Sequence, residues 1–118
     1  MNKGKCYISG KIGGLTEHEA KTMFTKAEQT VKALGYEPVN PFREGQKFID
    51  SKVGVSIQWR DVMKCVVSLM LQDDCDTVYV ITNHTASPGA TIEINLARKL
   101  GYALIHEEDH DFTKLVGA

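Results

Sequence analysis

The chain has 118 residues, 42% of them hydrophobic, which fits one compact domain (residues 1–118) with a core of its own. With 14 basic against 15 acidic residues the net charge is -1, so no broad basic surface for a nucleic-acid polymer is expected, and no apolar run approaches membrane-spanning length. The three cysteines, Cys6, Cys65 and Cys75, lack C-x-x-C spacing, which argues against a disulfide framework or a zinc site and for a reduced, cytoplasmic protein.

Lys5–Ser9 reads as a short first strand, and Met1–Gly10 lacks the apolar core of a signal peptide. Gly10-Lys11-Ile12-Gly13-Gly14 follows, a glycine-rich turn of the kind that lets backbone approach a ligand or simply connects two elements. Thr16 and Glu19 form a capping box. The helix they open carries Ala20, Met23, Phe24, Ala27, Val31 and Leu34 on one face and stops at Gly35. Tyr36–Asn40 is the second strand, ended by Pro41. Pro41–Val55 has no clear period and holds Phe42, Arg43, Lys47, Phe48 and Lys52. It is a binding loop or lid on one reading, and a surface excursion with a short helical turn on the other.

Ser56–Gln72 predicts a helix that is apolar most of the way round, with Asp61 near its start and Ser68 two turns on. One small sheet cannot cover such a helix on every side, so self-association is expected. Thr77–Thr82 is a buried strand, Asn83–Pro88 a polar loop, and a helix starting close to Ser87 runs to Leu100 with Gly101 as its stop. Glu93 lies in the first turns of that helix, and its neighbours at spacings of three, four and seven are Ala90, Ala97 and Leu100. An acid on the stripe that faces a sheet contradicts the local pattern, and such contradictions cluster at functional sites. The alternative is a first-turn acid that complements the helix dipole. The dipole favours the charged carboxylate and burial opposes it, a setting that suits a nucleophile better than a proton donor. Ser87-Pro88-Gly89 makes an anion site of the helix start, or an ordinary serine cap followed by proline, and the two are compatible. Tyr102–Ile105 is the fourth strand. The tail beyond it, with His106, Glu108, His110 and Asp111, matches no defined metal-ligand spacing, so no metal is expected.

Strands alternating with helices predict an α/β fold: a single-domain, open, mostly parallel sheet of about four to five strands with helices on both faces, Rossmann- or flavodoxin-like. Ligands of such sheets bind beyond the carboxyl ends of the strands at the switch point. Gly10–Gly14, Asn83–Gly89 and Glu93 converge there.

Three pieces together carry a resemblance: Tyr7-Ile8-Ser9-Gly10-Lys11-Ile12-Gly13-Gly14, Cys75-Asp76 opening the third strand, and Ser87-x-Gly89-x-x-x-Glu93. Over roughly Lys5 to Ile105 the chain resembles the nucleoside 2-deoxyribosyltransferase-like superfamily. Within it the resemblance is to the small DUF4406-type proteins of bacteria and their phages, and to nucleoside 5′-monophosphate N-glycosidases. The resemblance implies that Glu93 attacks the anomeric carbon of a (deoxy)ribose and displaces the base, with water or a second base releasing the sugar. It implies that Tyr7 borders the glutamate, and that Ser9, Gly10, Lys11, Ile12, Gly13 and Asn83 line the base and sugar. Ser87 and Gly89 would hold a 5′-phosphate, since a serine there replaces the aspartate that grips a free 5′-hydroxyl.

The family's acid on the preceding helix would fall near Ser68, so Asp61 takes that role only if the helix is lengthened. Asn83-His84-Thr85-Ala86 also replaces the aromatic-rich loop of many small relatives. The expectation is therefore hydrolysis or base exchange of a small nucleotide or nucleoside, without a cofactor, by a homodimer or higher homo-oligomer. The alternative is a non-catalytic domain that binds or sequesters nucleotides on the same fold, and a third reading is an interaction protein built on the apolar helix.

Overall fold

The computed structural model describes residues 3–10, 15–50, 59–82 and 88–107. Its elements are β1 (Lys5–Ser9), α1 (Glu17–Ala33), β2 (Glu37–Val39), α2 (Pro41–Asp50), α3 (Trp59–Met70), β3 (Cys75–Val80), α4 (Pro88–Leu100) and β4 (Ala103–His106). The four strands form one parallel sheet in the order β2-β1-β3-β4. The switch point lies between β1 and β3, as the alternating pattern predicts for a doubly wound fold.

Side-chain alternation along β1 and β3 divides the core in two. Tyr7, Val78 and Val80 face α3 and α4, where they pack with Val66, Met70, Ile94 and Ala97. Cys6, Ile8, Tyr79 and Ile81 face α1, where they pack with Phe24, Ala27 and Val31. An irregularity between Lys5 and Cys6 in the pairing with β3 leaves Asp76 as the extra, exposed residue, and the register then holds from Cys6↔Thr77 to Ser9↔Val80. This shift sets Tyr7 opposite Val78 and aims both at the same helices.

α1 begins with both bonds of the capping box formed: Thr16 Oγ1 accepts from the Glu19 amide at 3.1 Å, and Glu19 Oε1 accepts from the Thr16 amide at 3.0 Å. Gly35 and Gly101 follow α1 and α4 with φ of 97° and 77°, the left-handed conformation in which a side chain is strained.

One element departs from the sequence reading. Pro41–Asp50 is a ten-residue helix, neither a lid loop nor a single turn. Asn40 caps it, its Oδ1 accepting from the amides of Phe42 at 3.0 Å and Arg43 at 3.4 Å, and Pro41 occupies the first helical position where no N–H is needed. Gly45 blurs the apolar period, yet it is buried, with a Val66 methyl 4.0 Å from where its Cβ would stand. α2 thereby packs close against α3, while Phe42 stacks on Phe24 of α1 with ring centroids 6.2 Å apart. The helix straddles the carboxyl edge of the sheet.

Candidate functional site

Glu93 is 5% exposed, beneath the α4 face that also buries Ala90, Ile94 and Ala97. It lies beyond the first turn of α4, which contains no acid, so complementing the helix dipole does not account for it. Leu100, the far member of its stripe, turns outward at the last residue of the helix and is 47% exposed.

β1 supplies the facing groups. Tyr7 and Ser9 are two residues apart, so they share the face over which α4 lies, and both are wholly buried. The Ser9 hydroxyl donates to Glu93 Oε1 at 3.5 Å. Tyr7 Oη and Glu93 Oε2 are both buried without a hydrogen-bond partner of regular geometry among the described residues. They are still close enough to act on each other. Burial first, then the Glu93 charge, hold the Tyr7 phenol well above its ordinary value, so it stays neutral and able to donate. Burial pushes the Glu93 carboxyl from 4.5 to about 7, against the opposing pull of Tyr7 and Ser9. Of the two influences that the sequence sets against each other, burial gives the shift its direction.

The switch point of the sheet adjoins these groups. Ile81 donates its amide to the Ser9 carbonyl at 2.8 Å, just past the carboxyl ends of β1 and β3. Gly10 follows, and a Cβ there would stand 2.8 Å from Ile81 Cδ1. The close approach that Gly10 permits is therefore to β3 itself. Beyond β3, Glu107 Oε1 accepts from the Thr82 amide at 3.2 Å and from its hydroxyl at 3.0 Å. That pair fixes the point from which the chain leaves towards Asn83.

A family model described as a domain of unknown function, DUF4406, matches residues 4–106, which span every strand and helix named above. The chain belongs to the DUF4406 family. No curated protein matches it.

Of the site residues expected from sequence, the structure brings Tyr7, Ser9 and Glu93 together in this family's fold. Gly10 adjoins them, and Gly89 lies half-buried at the start of α4. Lys11, Ile12, Gly13, Asn83, His84 and Ser87 lie outside the described residues, as do Ser56–Gln58 at the expected start of the third helix. Asp61 is half-buried in the first turn of α3. Because α3 leads into a parallel strand, its start lies at the carboxyl edge, and Met70, whose carbonyl accepts from the Tyr102 hydroxyl at 3.1 Å, marks its other end. Asp61 occupies the flank of α3 shared with Cys65 and Ser68, beside the buried Val66 and Met70. Cys65, one turn on, contributes to the field at Tyr7. Ser68 is exposed and donates to the Cys65 carbonyl at 2.6 Å, so the family's acid is not replaced from that position.

Sequence reasoning missed a second buried acid. Glu28 is 6% exposed and accepts from Asn40 Nδ2 at 2.7 Å and from both terminal nitrogens of Arg43 at 3.0 and 2.7 Å. The signal was present: Glu28 stands four residues after Phe24 and three before Val31, an acid on an apolar stripe like Glu93. Among the described residues no group of His, Cys, Asp and Glu could hold a metal ion. No described helix is long and apolar enough to cross a membrane.

Proposed function

We propose that this protein cleaves the N-glycosidic bond of a nucleoside 5′-monophosphate with Glu93 as nucleophile, by hydrolysis or by base exchange. The observation that carries the proposal is a buried carboxylate, Glu93, set against the Tyr7 phenol and the Ser9 hydroxyl next to the switch point of a parallel sheet, with Glu93 Oε2 and Tyr7 Oη lacking a hydrogen bond of regular geometry among the described residues. Such buried groups are uncommon, and a substrate sugar would offer a hydroxyl to Tyr7 and an electrophilic carbon to Glu93. Glu93 Oε2 attacks C1′, and the C1′–N bond breaks with its electron pair going to the departing base. Water, or an acceptor base, then attacks the glycosyl ester and restores the carboxylate. The neutral Tyr7 phenol and the Ser9 hydroxyl hold the carboxylate in line. Asp61, at the carboxyl edge, is proposed to protonate the base, and Ser87 with Gly89 to take the 5′-phosphate.

The nucleophile is the ionised form, so turnover rises with pH through about 7, the Glu93 value. The same residues, with the resemblance noted above, support placing the chain in the nucleoside 2-deoxyribosyltransferase-like superfamily. A homodimer or higher homo-oligomer in the cytoplasm is part of the proposal. It draws on Leu71, just past α3, and on Ile92 and Leu100 of α4, which leave 49%, 45% and 47% of their surface exposed.

A second reading, a domain that binds nucleotides without turnover, draws on one observation: Ser68, near which the resemblance places an acid, is an exposed serine bound to the Cys65 carbonyl. Incubating wild type and Glu93→Gln with ribo- and deoxyribonucleoside 5′-monophosphates and the free nucleosides separates the two. Free base from wild type alone, with binding kept in the variant, is the expected result. Saturable binding with no base released by either protein would establish the second reading instead.

A further inference from the structure

We infer that the groove between α1 and α2 is a second ligand site, one for a small molecule bearing a phosphate or pyrophosphate group. The groove encloses about 340 Å³, within the size range of small-molecule pockets. It lies at the carboxyl end of β2, against the helix that covers Cys6 and Ile8, whereas Glu93 lies over Tyr7 and Ser9 on the other face of the sheet. It is therefore separate from the Glu93 site and independent of the function proposed there.

Its walls carry Lys21 and Thr25 from α1, and Phe42, Arg43 and Lys47 from α2, with Asn40 at the junction. Lys21, Thr25 and the capping-box turn stack at helical spacing, so the two side chains point the same way along α1. Glu17 is the acid on the lining, against three cations. Arg43 is the organising group. Buried Glu28 holds both terminal nitrogens of its guanidinium, and Asn40 holds Glu28 in turn. That bidentate grip occupies two of the five N–H donors and fixes the plane of the fork. The rest of the half-exposed side chain presents further donors to the groove. Lys47 pairs with Glu44 at 3.3 Å on an exposed surface, a contact weak enough to yield to a ligand.

Glu28 and Glu44 pair with Arg43 and Lys47, and Glu17 shares the wall with Lys21, so the groove carries no net charge, but the remaining guanidinium N–H groups, two ammonium groups and a hydroxyl leave more donors than these carboxylates occupy. A phosphate, with its several acceptor oxygens, matches those donors. Phe42, half-buried and stacked on Phe24, adds a flat apolar wall against which the rest of the molecule rests.

The test is calorimetric titration of the full chain with inorganic pyrophosphate, for wild type, the Lys21→Ala/Lys47→Ala double variant and Glu93→Gln. Both lysines are exposed, so the double variant keeps its fold, which circular dichroism checks. Expected are saturable binding by wild type, a loss of about tenfold or more in the double variant, and no change in Glu93→Gln. Amide shifts on titration should centre on Thr25 and Phe42. Absence of saturable binding, equal affinity in the double variant, or a loss in Glu93→Gln matching that in the double variant would each overturn the inference.

Discussion

Glu93 keeps its charge only against the burial around it, and that has a consequence for stability. Its folded-state pKa of about 7 stands above the ordinary 4.5, so between those values the folded protein holds a proton that the unfolded chain has released. Stability is therefore highest below about pH 4.5 as far as this group is concerned, falls as the pH rises through the interval, and levels off above 7. The loss is on the order of 3 kcal/mol. Glu93→Gln should consequently be more stable than wild type at pH 8 by a few kcal/mol, with the gain shrinking towards pH 4, as urea unfolding at the two pH values would reveal. A gain of the same size at both would mean that ionisation is not its source. At this scale the sequence was informative where a residue broke its own pattern. Glu93 stood out against Ala90 and Ala97, whereas Tyr7 and Ser9 were expected only through the family resemblance, and the period of two along β1 is what sets both on the face beneath α4. The height of its pKa was not legible, because that depends on how completely β1 and α4 exclude water.

α2 is the element that local sequence hid. Gly45 interrupts the apolar period, and the helix signals, Asn40 as cap and Pro41 at the first position, sit at the end of a strand where they also read as a turn. What fixes the helix is a contact from elsewhere in the chain: Asn40 caps it with one end of its amide and binds Glu28 of α1 with the other. Asn40→Ala removes both at once. The lost cap costs about 1 kcal/mol, and the unmet bond to a buried charge about 1.5–3 kcal/mol more. Chemical denaturation should give a destabilisation of about 2–4 kcal/mol, with loss of helical signal confined to the first turns of α2. A change below about 0.5 kcal/mol would show that Asn40 neither caps the helix nor supports Glu28. The other described ends were legible to within two residues, since a capping box marks α1 and clean periods mark the remaining elements, while the expected start of the third helix at Ser56 lies outside the described residues.

The whole molecule is a sheet with unequal cover. α1 covers one side, α3 and α4 cover the other, and α2 bridges α1 and α3 at the carboxyl edge, while Leu71, Ile92 and Leu100 stay open to solvent on the α3 and α4 side. The apolar character of α3 suggested association from the sequence, and α4 adds Ile92, which the pattern had not singled out. If a second copy covers this face, Leu71→Lys together with Ile92→Lys should convert a dimer to a monomer in sedimentation velocity, and a wild-type monomer at micromolar concentration would end that proposal. The open parallel sheet with its switch point was legible because alternating strands and helices with right-handed crossovers leave few alternatives. The groove between α1 and α2 was not, because it exists only once residues far apart in the chain, from α1 and α2, are brought together. The central claim remains the covalent chemistry of Glu93. The most direct measurement is mass spectrometry of the acid-quenched protein during turnover of a nucleoside 5′-monophosphate. The account predicts a sugar-phosphate adduct on the peptide that contains Glu93, absent from Glu93→Gln. Turnover with no adduct, or with one mapped to another residue, would contradict it.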